Sequence, residues 1–216
     1  MLLRSIIGWL LLGILGVSLA TACSYRQSAE ISLPQRSLSE CRVVSHMLGE
    51  TCVPVAPQRI ATLSLPTLGH VLSLGVKPIG STYIDGKYFL PYLKNRLDEI
   101  NALGTESPNL ERLLLLKPDL IIGLEWDEAI FPLLSQIAPT VLDDWGGTEN
   151  WRNHFSFVAG ALGKQREAQQ AWNHYYRRIE ELKQALGDRY KDKTISLVFL
   201  SPGVIFSEAK GSFPDS

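Results

Sequence analysis

The stretch from Pro108 to Gly123, which reads PNLERLLLLKPDLIIG, decides the fold class of this chain. Asn109 can cap a helix because its side-chain oxygen accepts a hydrogen bond from a backbone N–H of the first turn. Pro118 lacks an N–H and disfavours helical backbone at the residue before it, so the helix is predicted to end near Lys117. The three consecutive apolar residues 120–122 are typical of a strand that is covered on both faces. The stretch therefore predicts one helix–strand unit of a parallel sheet.

Strands and helices alternate on both sides of this unit, which is the pattern of a sheet with helices on its faces. Further strands are predicted at 59–63, 77–80 and 140–142, and further helices at 68–74 and 129–137. A hairpin is predicted at 42–54, and residues 85–101 read as a loop with some helix. The predicted fold class is α/β, a parallel sheet with flanking helices and right-handed crossovers.

From residue 151 the pattern is helical to residue 186, with one break at Leu162–Gly163. The second of these helices carries an apolar stripe that we expect to be buried: Ala168, Ala171, Trp172, Tyr175, Ile179, Leu182 and Leu186. An apolar hairpin is then predicted at 194–206. Because an isolated hairpin is marginally stable in water, this segment is expected to belong to a further sheet.

The first 23 residues have the layout of a bacterial secretory signal. Arg4 is a lone positive charge, residues 6–19 form an apolar core, and the small residues 20–22 lead to Cys23. This ending resembles the lipobox of bacterial lipoproteins, although Ala20 stands where leucine is commonest. We predict cleavage before Cys23 and lipidation of its sulfur. An uncleaved membrane anchor is the alternative, because the apolar run is near the lower length limit of a spanning helix.

Two further cysteines, Cys41 and Cys52, remain beyond the signal. In an oxidising compartment such a pair suggests a disulfide. If His46 pairs with Thr51 in the hairpin, the two cysteines lie on one face but too far apart to bridge without a bend. The disulfide is therefore predicted together with a bend in the strand before Arg42.

Composition and motifs point away from nucleic acid and from catalysis. The net charge is −1, so the chain offers no excess of basic residues for a nucleic acid. Its four histidines are widely separated in sequence, and it has no P-loop, no G-x-S-x-G and no G-x-G-x-x-G motif. His70 reads as an ordinary surface or half-buried histidine. We predict that the protein is not an enzyme.

Four segments occur in an order that is known from one family: GETCVPVAPQRIATLS at 49–64, LGVKPIGS at 74–81, PNLERLLLLKPDLII at 108–122, and a long helix ending in LKQALGD at 182–188. Over residues 42–207 the chain resembles the ferric-siderophore and vitamin B12 solute-binding proteins of ABC importers. The resemblance implies a two-lobed receptor in which each lobe is α/β, one rigid helix joins the lobes, and the ligand sits in the cleft between them.

The resemblance also implies a domain organisation and a location. The expected parts are a lipoprotein signal peptide at 1–22, a tether at 23–41, an N-terminal α/β lobe at 42–150, linking helices at 151–187 and a truncated start of a C-terminal lobe at 188–216. The location would be the periplasm or cell envelope, on a lipid anchor. A chain with one full lobe is expected to bind its ligand weakly or not at all, because a two-lobe cleft buries most of the ligand between opposing walls.

A partner follows from the same resemblance. Glu111, in the NLE motif, would dock on an arginine of the ABC permease in the inner membrane. Read from the residues alone, a glutamate in a first helical turn is favourable simply because it complements the helix dipole.

The ligand site can be placed without the family, because ligands of open α/β sheets bind outside the carboxyl ends of the strands. Loops at those ends supply Leu65 and Thr67 after the first strand, Tyr83 after the second, Trp126 after the third and Trp145 after the fourth. Tyrosine and tryptophan there could pack on a ligand and donate hydrogen bonds. The alternative is that these aromatic residues only cover the end of the sheet.

The charge of these loops leaves the ligand open. They carry four carboxylates and no Arg or Lys, so Lys87 or a second lobe would have to supply the positive charge that an anionic ferric chelate needs. The resemblance implies a ferric chelate or a corrinoid, with the iron carried by the chelate, so no cofactor is expected. A surface-tethered protein-binding module, or a fragment without a ligand, is the alternative function.

Overall fold

The computed structural model describes residues 41–82, 93, 96–105, 107–146, 150–190, 198–201 and 204–207. The predicted signal peptide, Cys23, Tyr83 and Lys87 lie outside the described residues.

A five-stranded, fully parallel sheet forms the centre of the described fold, in the order β5–β4–β3–β6–β7. Its strands are β3 (Ile60–Thr62), β4 (Gly80–Ser81), β5 (Asn101–Ala102), β6 (Leu120–Leu124) and β7 (Thr140–Asp143). Every residue of β6 is buried, as expected for a strand with helices on both sides. The predicted α/β class is confirmed.

Within the described residues, five α-helices accompany the sheet: α1 (Leu65–Ser73), α2 (Leu110–Leu116), α3 (Phe131–Ile137), α4 (Trp151–Leu162) and α5 (Gln165–Leu186). The predicted cap of α2 is present, because Asn109 Oδ1 accepts a hydrogen bond from Arg112 N at 2.8 Å. The helix ends at Lys117, which takes the left-handed conformation with φ 48° just before Pro118. The helix predicted at 129–137 is wrong in its first turn, because residues 125–130 form a 3₁₀ turn ahead of α3.

The sheet is packed on both faces because its side chains alternate in direction. On one face, Ile60 and Ile122 pack with Val71 of α1 and Val158 of α4. On the other face, Ala61 and Ile121 pack with Leu113 of α2 and Leu134 of α3. Helices α1 and α4 therefore share one side of the sheet, and α2 and α3 share the other.

The first hairpin consists of β1 (Cys41–His46) and β2 (Gly49–Pro54) around a two-residue turn. Its register differs from the expected one, because His46 pairs with Gly49 and Cys52 pairs with Val43. The shorter turn brings Cys41 to a diagonal position with a Cα–Cα distance of 5.6 Å from Cys52, and the two are joined as a disulfide. Met47 N donates to Leu142 O at 3.0 Å, which attaches the turn to β7.

Three further expectations differ from the structure. Strand β4 begins at Gly80 instead of residue 77, since Pro78 cannot donate to a ladder. Strand β5 was not predicted, because two residues carry no readable alternation. On α5 only Ala168 of the expected stripe is buried, while Leu182 and Leu186 are 59% and 38% exposed, because the helix packs on α4 through its first turns.

The second hairpin is described at β8 (Val198–Ser201) and β9 (Val204–Ser207), with Ser201 paired to Val204. Among the helices described, none combines the length and apolar content needed to cross a membrane.

Candidate ligand-binding groove

A groove of about 560 Å³ opens beside α1. Its lining comes from α1, from the segment between β4 and β5, from the loop after β7 and from the start of α4: Leu65, Pro66, Gly69, His70, Ser73, Leu93, Arg96, Trp145 and Trp151. Two of these regions directly follow β3 and β7. The groove is therefore at the carboxyl edge of the sheet, where open α/β folds bind their ligands.

Local sequence explains why α1 reaches the groove with its first turn. Ser64 is the N-cap of α1, two residues after β3, and its backbone is extended; its hydroxyl oxygen accepts a hydrogen bond from Thr67 N at 3.2 Å. Pro66 fits the first turn because its missing N–H would have no helical partner there. Leu65 and Pro66 consequently face the groove immediately after the strand.

The structure brings some of the predicted site residues together. Leu65 and Trp145 both line the groove. Thr67 is fully buried, and its hydroxyl contacts the His154 side chain of α4. Trp126 is 47% exposed and is not among the lining residues. Tyr83 lies outside the described residues.

A buried hydrogen-bond chain connects three elements around the groove. His154 of α4 contacts Thr67 Oγ1 through Nε2 at 3.0 Å and Asp143 Oδ2 through Nδ1 at 2.8 Å. Its side chain is fully buried, so both ring nitrogens find their partners inside the protein. Ser64 Oγ extends the chain by donating to Thr67 Oγ1 at 2.7 Å. Sequence reasoning missed this role of His154, because 87 residues separate it from Thr67 and no local motif connects them.

Aromatic contacts extend from His154 to the lining. The Trp145 ring meets His154 edge-on with centroids 5.4 Å apart, and the His70 ring lies 5.1 Å from His154. Burial and, to a smaller extent, the neighbouring His154 together lower the pKa of His70 to about 3. His70 is therefore neutral at physiological pH. His70 is half-buried, which is one of the two environments expected from the sequence, and it also lines the groove.

The charge at the groove differs from the expectation. Arg96 lines it and is exposed, while its Nη2 donates to the carbonyl of Leu72. Arg96 lies in the polar segment 85–101, for which the sequence predicts a loop with some helix and no site residue. Glu125 accepts from Trp145 N at 2.9 Å and Asp143 is held by His154, so two of the four loop carboxylates already have partners.

The third carboxylate, Asp127, is buried. Its Oδ2 accepts from Leu124 N at 3.1 Å. Burial raises the pKa of Asp127 to about 6, with a further increase from the charge of Glu125, against the opposing hydrogen bond from Leu124. No group of His, Cys, Asp and Glu in the described part of the chain is arranged to hold a metal ion.

Glu111 lies away from the groove. It is exposed in the first turn of α2, and α2 packs on the opposite face of the sheet from α1.

Comparison with known proteins gives consistent matches. Residues 60–213 match the family model described as periplasmic binding protein. Over 200 residues the chain is 34% identical to the probable siderophore-binding lipoprotein YfiY of Bacillus subtilis, which covers 90% of this chain and 60% of that protein. It is also 34% identical over 177 residues to the Fe(3+)-citrate-binding protein YfmC of the same organism, covering 80% and 56%.

The fold of the chain also matches a solved structure. Staphylococcus aureus SirA complexed with staphyloferrin B superposes with a TM-score of 0.63 at 32% identity, covering 73% of this chain and 55% of SirA. The chain thus spans between half and two thirds of the length of these three relatives.

Proposed function

This chain belongs to the periplasmic binding protein family, and from that premise we propose that it binds a ferric siderophore for an ABC importer. Its relative YfiY is named as a probable siderophore-binding lipoprotein, and SirA was solved with staphyloferrin B. The observation that carries the proposal is the groove at the carboxyl edge of the sheet, which combines two tryptophans with an exposed arginine.

The groove suits a chelate in size and in chemistry. Its volume of about 560 Å³ is within the usual range for small-molecule sites. Trp145 and Trp151 offer flat apolar surface for the organic part of a siderophore. Arg96 offers a guanidinium, which forms strong charge-assisted hydrogen bonds with carboxylate or phenolate oxygens. The iron would remain in the chelate, so the protein itself would need no metal ligands.

Two further parts of the proposal concern location and delivery. Lipidation of Cys23 would tether the protein to the cell envelope, beside the importer. Glu111, exposed at the start of α2, would contact an arginine of the permease. Helix α2, which carries Glu111, packs on the face of the sheet opposite α1 and α4, and Glu111 does not line the groove.

Titration of the purified chain with ferric citrate, ferric staphyloferrin B and a ferric hydroxamate, followed by tryptophan fluorescence, tests ligand binding. At least one ferric chelate should quench the fluorescence saturably, even at the weak affinity expected of a chain with one full lobe, and its iron-free form should bind more weakly still. Arg96→Gln should weaken binding about tenfold or more, because it removes a charged hydrogen bond worth roughly 1.5–3 kcal/mol. The exposed Arg166→Gln on α5 is the matched control and should bind normally. Equal effects of the two substitutions, or no saturable quenching by any chelate, would contradict the proposal.

A further inference from the structure

A second, smaller pocket of about 180 Å³ adjoins the groove between α1, α4 and α5. The two cavities share His70, Ser73 and Trp151, so they are neighbouring compartments of one depression. The smaller pocket adds Phe155 from α4 and Trp172 and Tyr175 from α5, none of which lines the larger groove.

The walls of this pocket are aromatic and pack against one another. Trp151 and Trp172 have ring centroids 5.4 Å apart, and Phe155 meets Trp172 edge-on at 5.2 Å. The guanidinium of Arg152 lies 4.4 Å from the Trp151 ring centre, and its Nη2 donates to the Tyr175 hydroxyl at 3.3 Å. These contacts fix the ring orientations, so the pocket exists before any ligand enters.

The polar groups that line the pocket carry no charge, and most of them already form hydrogen bonds within the protein. The Ser73 hydroxyl lies 2.9 Å from the carbonyl oxygens of both Gly69 and His70, to which it donates. His70 is neutral at physiological pH, as shown above, and its Nδ1 is buried without a hydrogen-bond partner among the described residues. Such an unsatisfied nitrogen is uncommon in a folded protein and suits a ligand that brings one hydroxyl group.

From these observations we propose that the smaller pocket receives one planar aromatic ring, and that the ligand of the adjoining groove is a chelate that carries such a ring. Size supports one ring, because an apolar cavity of about 150 Å³ is enough to bind benzene. Aromatic walls add attraction for flat rings through edge-to-face and offset-stacked contacts, beyond the effect of buried area. The part about the chelate rests on the proposed function, whereas the part about the ring does not.

Phenol and cyclohexanol are the probes for the pocket, since both carry one hydroxyl on a six-membered ring but only phenol is planar. Binding to the full chain is followed by NMR through the indole N–H signals, with Trp172 reporting on the smaller pocket and Trp145 on the larger groove. Phenol should shift Trp172 saturably and bind at least tenfold more tightly than cyclohexanol. Equal affinity of the two alcohols, or shifts confined to Trp145, would overturn the proposal.

Two substitutions separate the compartments. Ala171 lines only the smaller pocket, so Ala171→Phe should fill it and reduce phenol affinity at least tenfold; Ala171→Leu repeats the test with a smaller side chain. Gly69 lines only the larger groove, and a Cβ there meets nothing within 4 Å, so Gly69→Ala is a well-tolerated control that should leave phenol binding unchanged. Thermal unfolding verifies that each variant is folded. Unchanged phenol affinity in a folded Ala171 variant would overturn the proposal.

The chelate is tested with ferric tris(2,3-dihydroxybenzoate) against ferric citrate, which has no ring. Ala171→Phe should reduce the affinity for the aryl chelate at least tenfold and leave the affinity for ferric citrate unchanged. If Arg96→Gln weakens the binding of ferric citrate but Ala171→Phe does not change the affinity for the aryl chelate, the inference fails and the proposed function stands. If phenol occupies the pocket but no ferric chelate binds, the ring site stands and the proposed function fails.

Discussion

Asp127 is a single residue whose burial should be visible in the pH dependence of stability. Its pKa is raised from an ordinary 3.8 to about 6, chiefly by burial, so folding disfavours its ionised form. Its contribution to stability is therefore fully present below pH 4 and is lost as pH rises through 6. The loss is at most about 3 kcal/mol, from roughly 1.36 kcal/mol per pKa unit.

Asp127→Asn should abolish this dependence, because the amide keeps an acceptor for Leu124 N but cannot ionise. We expect the variant to exceed the native protein in free energy of unfolding at pH 7.5, by about 1–3 kcal/mol, and to lose that advantage at pH 4. Urea denaturation at the two pH values measures both. A stability difference that is the same at both pH values would show that ionisation of Asp127 is not the cause.

His154 should be a stability determinant of the groove. His154→Leu removes one hydrogen bond from the Thr67 hydroxyl, which keeps its bond from Ser64, and one from the half-buried Asp143 carboxylate. A loss of about 1–3 kcal/mol in unfolding free energy is expected from denaturation in urea. His174→Leu, on the exposed side of α5, is the control and should change stability by less than about 0.5 kcal/mol. Similar losses in both variants would rule out a special role for His154.

At the scale of one element, α2 combines a structural cap with the proposed docking residue. Glu111→Gln should leave ligand affinity intact and abolish uptake of the ferric chelate in cells that carry the permease. If Glu111 only complements the helix dipole, the substitution should instead cost about 0.3–1 kcal/mol of stability with normal uptake. Glu128→Gln, exposed in the 3₁₀ turn, is the matched control. Normal transport by the Glu111 variant would leave only the dipole effect.

The elements also show which parts of the fold can be predicted from sequence. The α2–β6 unit is predictable because Asn109, Pro118 and the run of apolar residues at 120–122 all act through local backbone chemistry. Strand β5 is not, because its two residues, Asn101 and Ala102, are strand only through pairing with β4. The expected and observed hairpin registers differ by two residues of turn length, and such a shift changes every cross-strand partner.

The location of the candidate site could be predicted from the sequence, but several of the residues that form it could not. Its position follows from the general rule that ligands bind at the carboxyl ends of parallel strands, and two of the residues expected there, Leu65 and Trp145, line the groove. Arg96 and His154 could not be found in this way, since Arg96 lies in a segment without periodicity. His154 acts through contacts 11 and 87 residues away in sequence. Such long-range contacts become visible only when the helices are packed.

For the whole molecule, the testable property is its attachment to the membrane. Cys23→Ser should remove the site of lipidation, so the protein should appear in the soluble fraction or retain its uncleaved signal. Fractionation, with mass spectrometry of the mature N-terminus, distinguishes these two outcomes. Cys52→Ser controls for the loss of a cysteine elsewhere. Unchanged membrane attachment and an unchanged N-terminus in the Cys23 variant would contradict lipidation.

The strand order also has a consequence for the timing of assembly. Strand β3 is at the centre of the sheet, but its neighbour β6 arrives late in the chain: Asp119, which binds the backbone N–H of Arg59 next to β3, is 60 residues further on. In a chain that emerges N-terminus first, from the ribosome or through an export channel, there is an interval in which β3 is present and β6 is not. Throughout that interval one edge of the central strand has no native partner, and an open strand edge is where mispairing begins. The nascent chain is therefore most vulnerable to aggregation, and has most to gain from a chaperone, before residue 124 emerges.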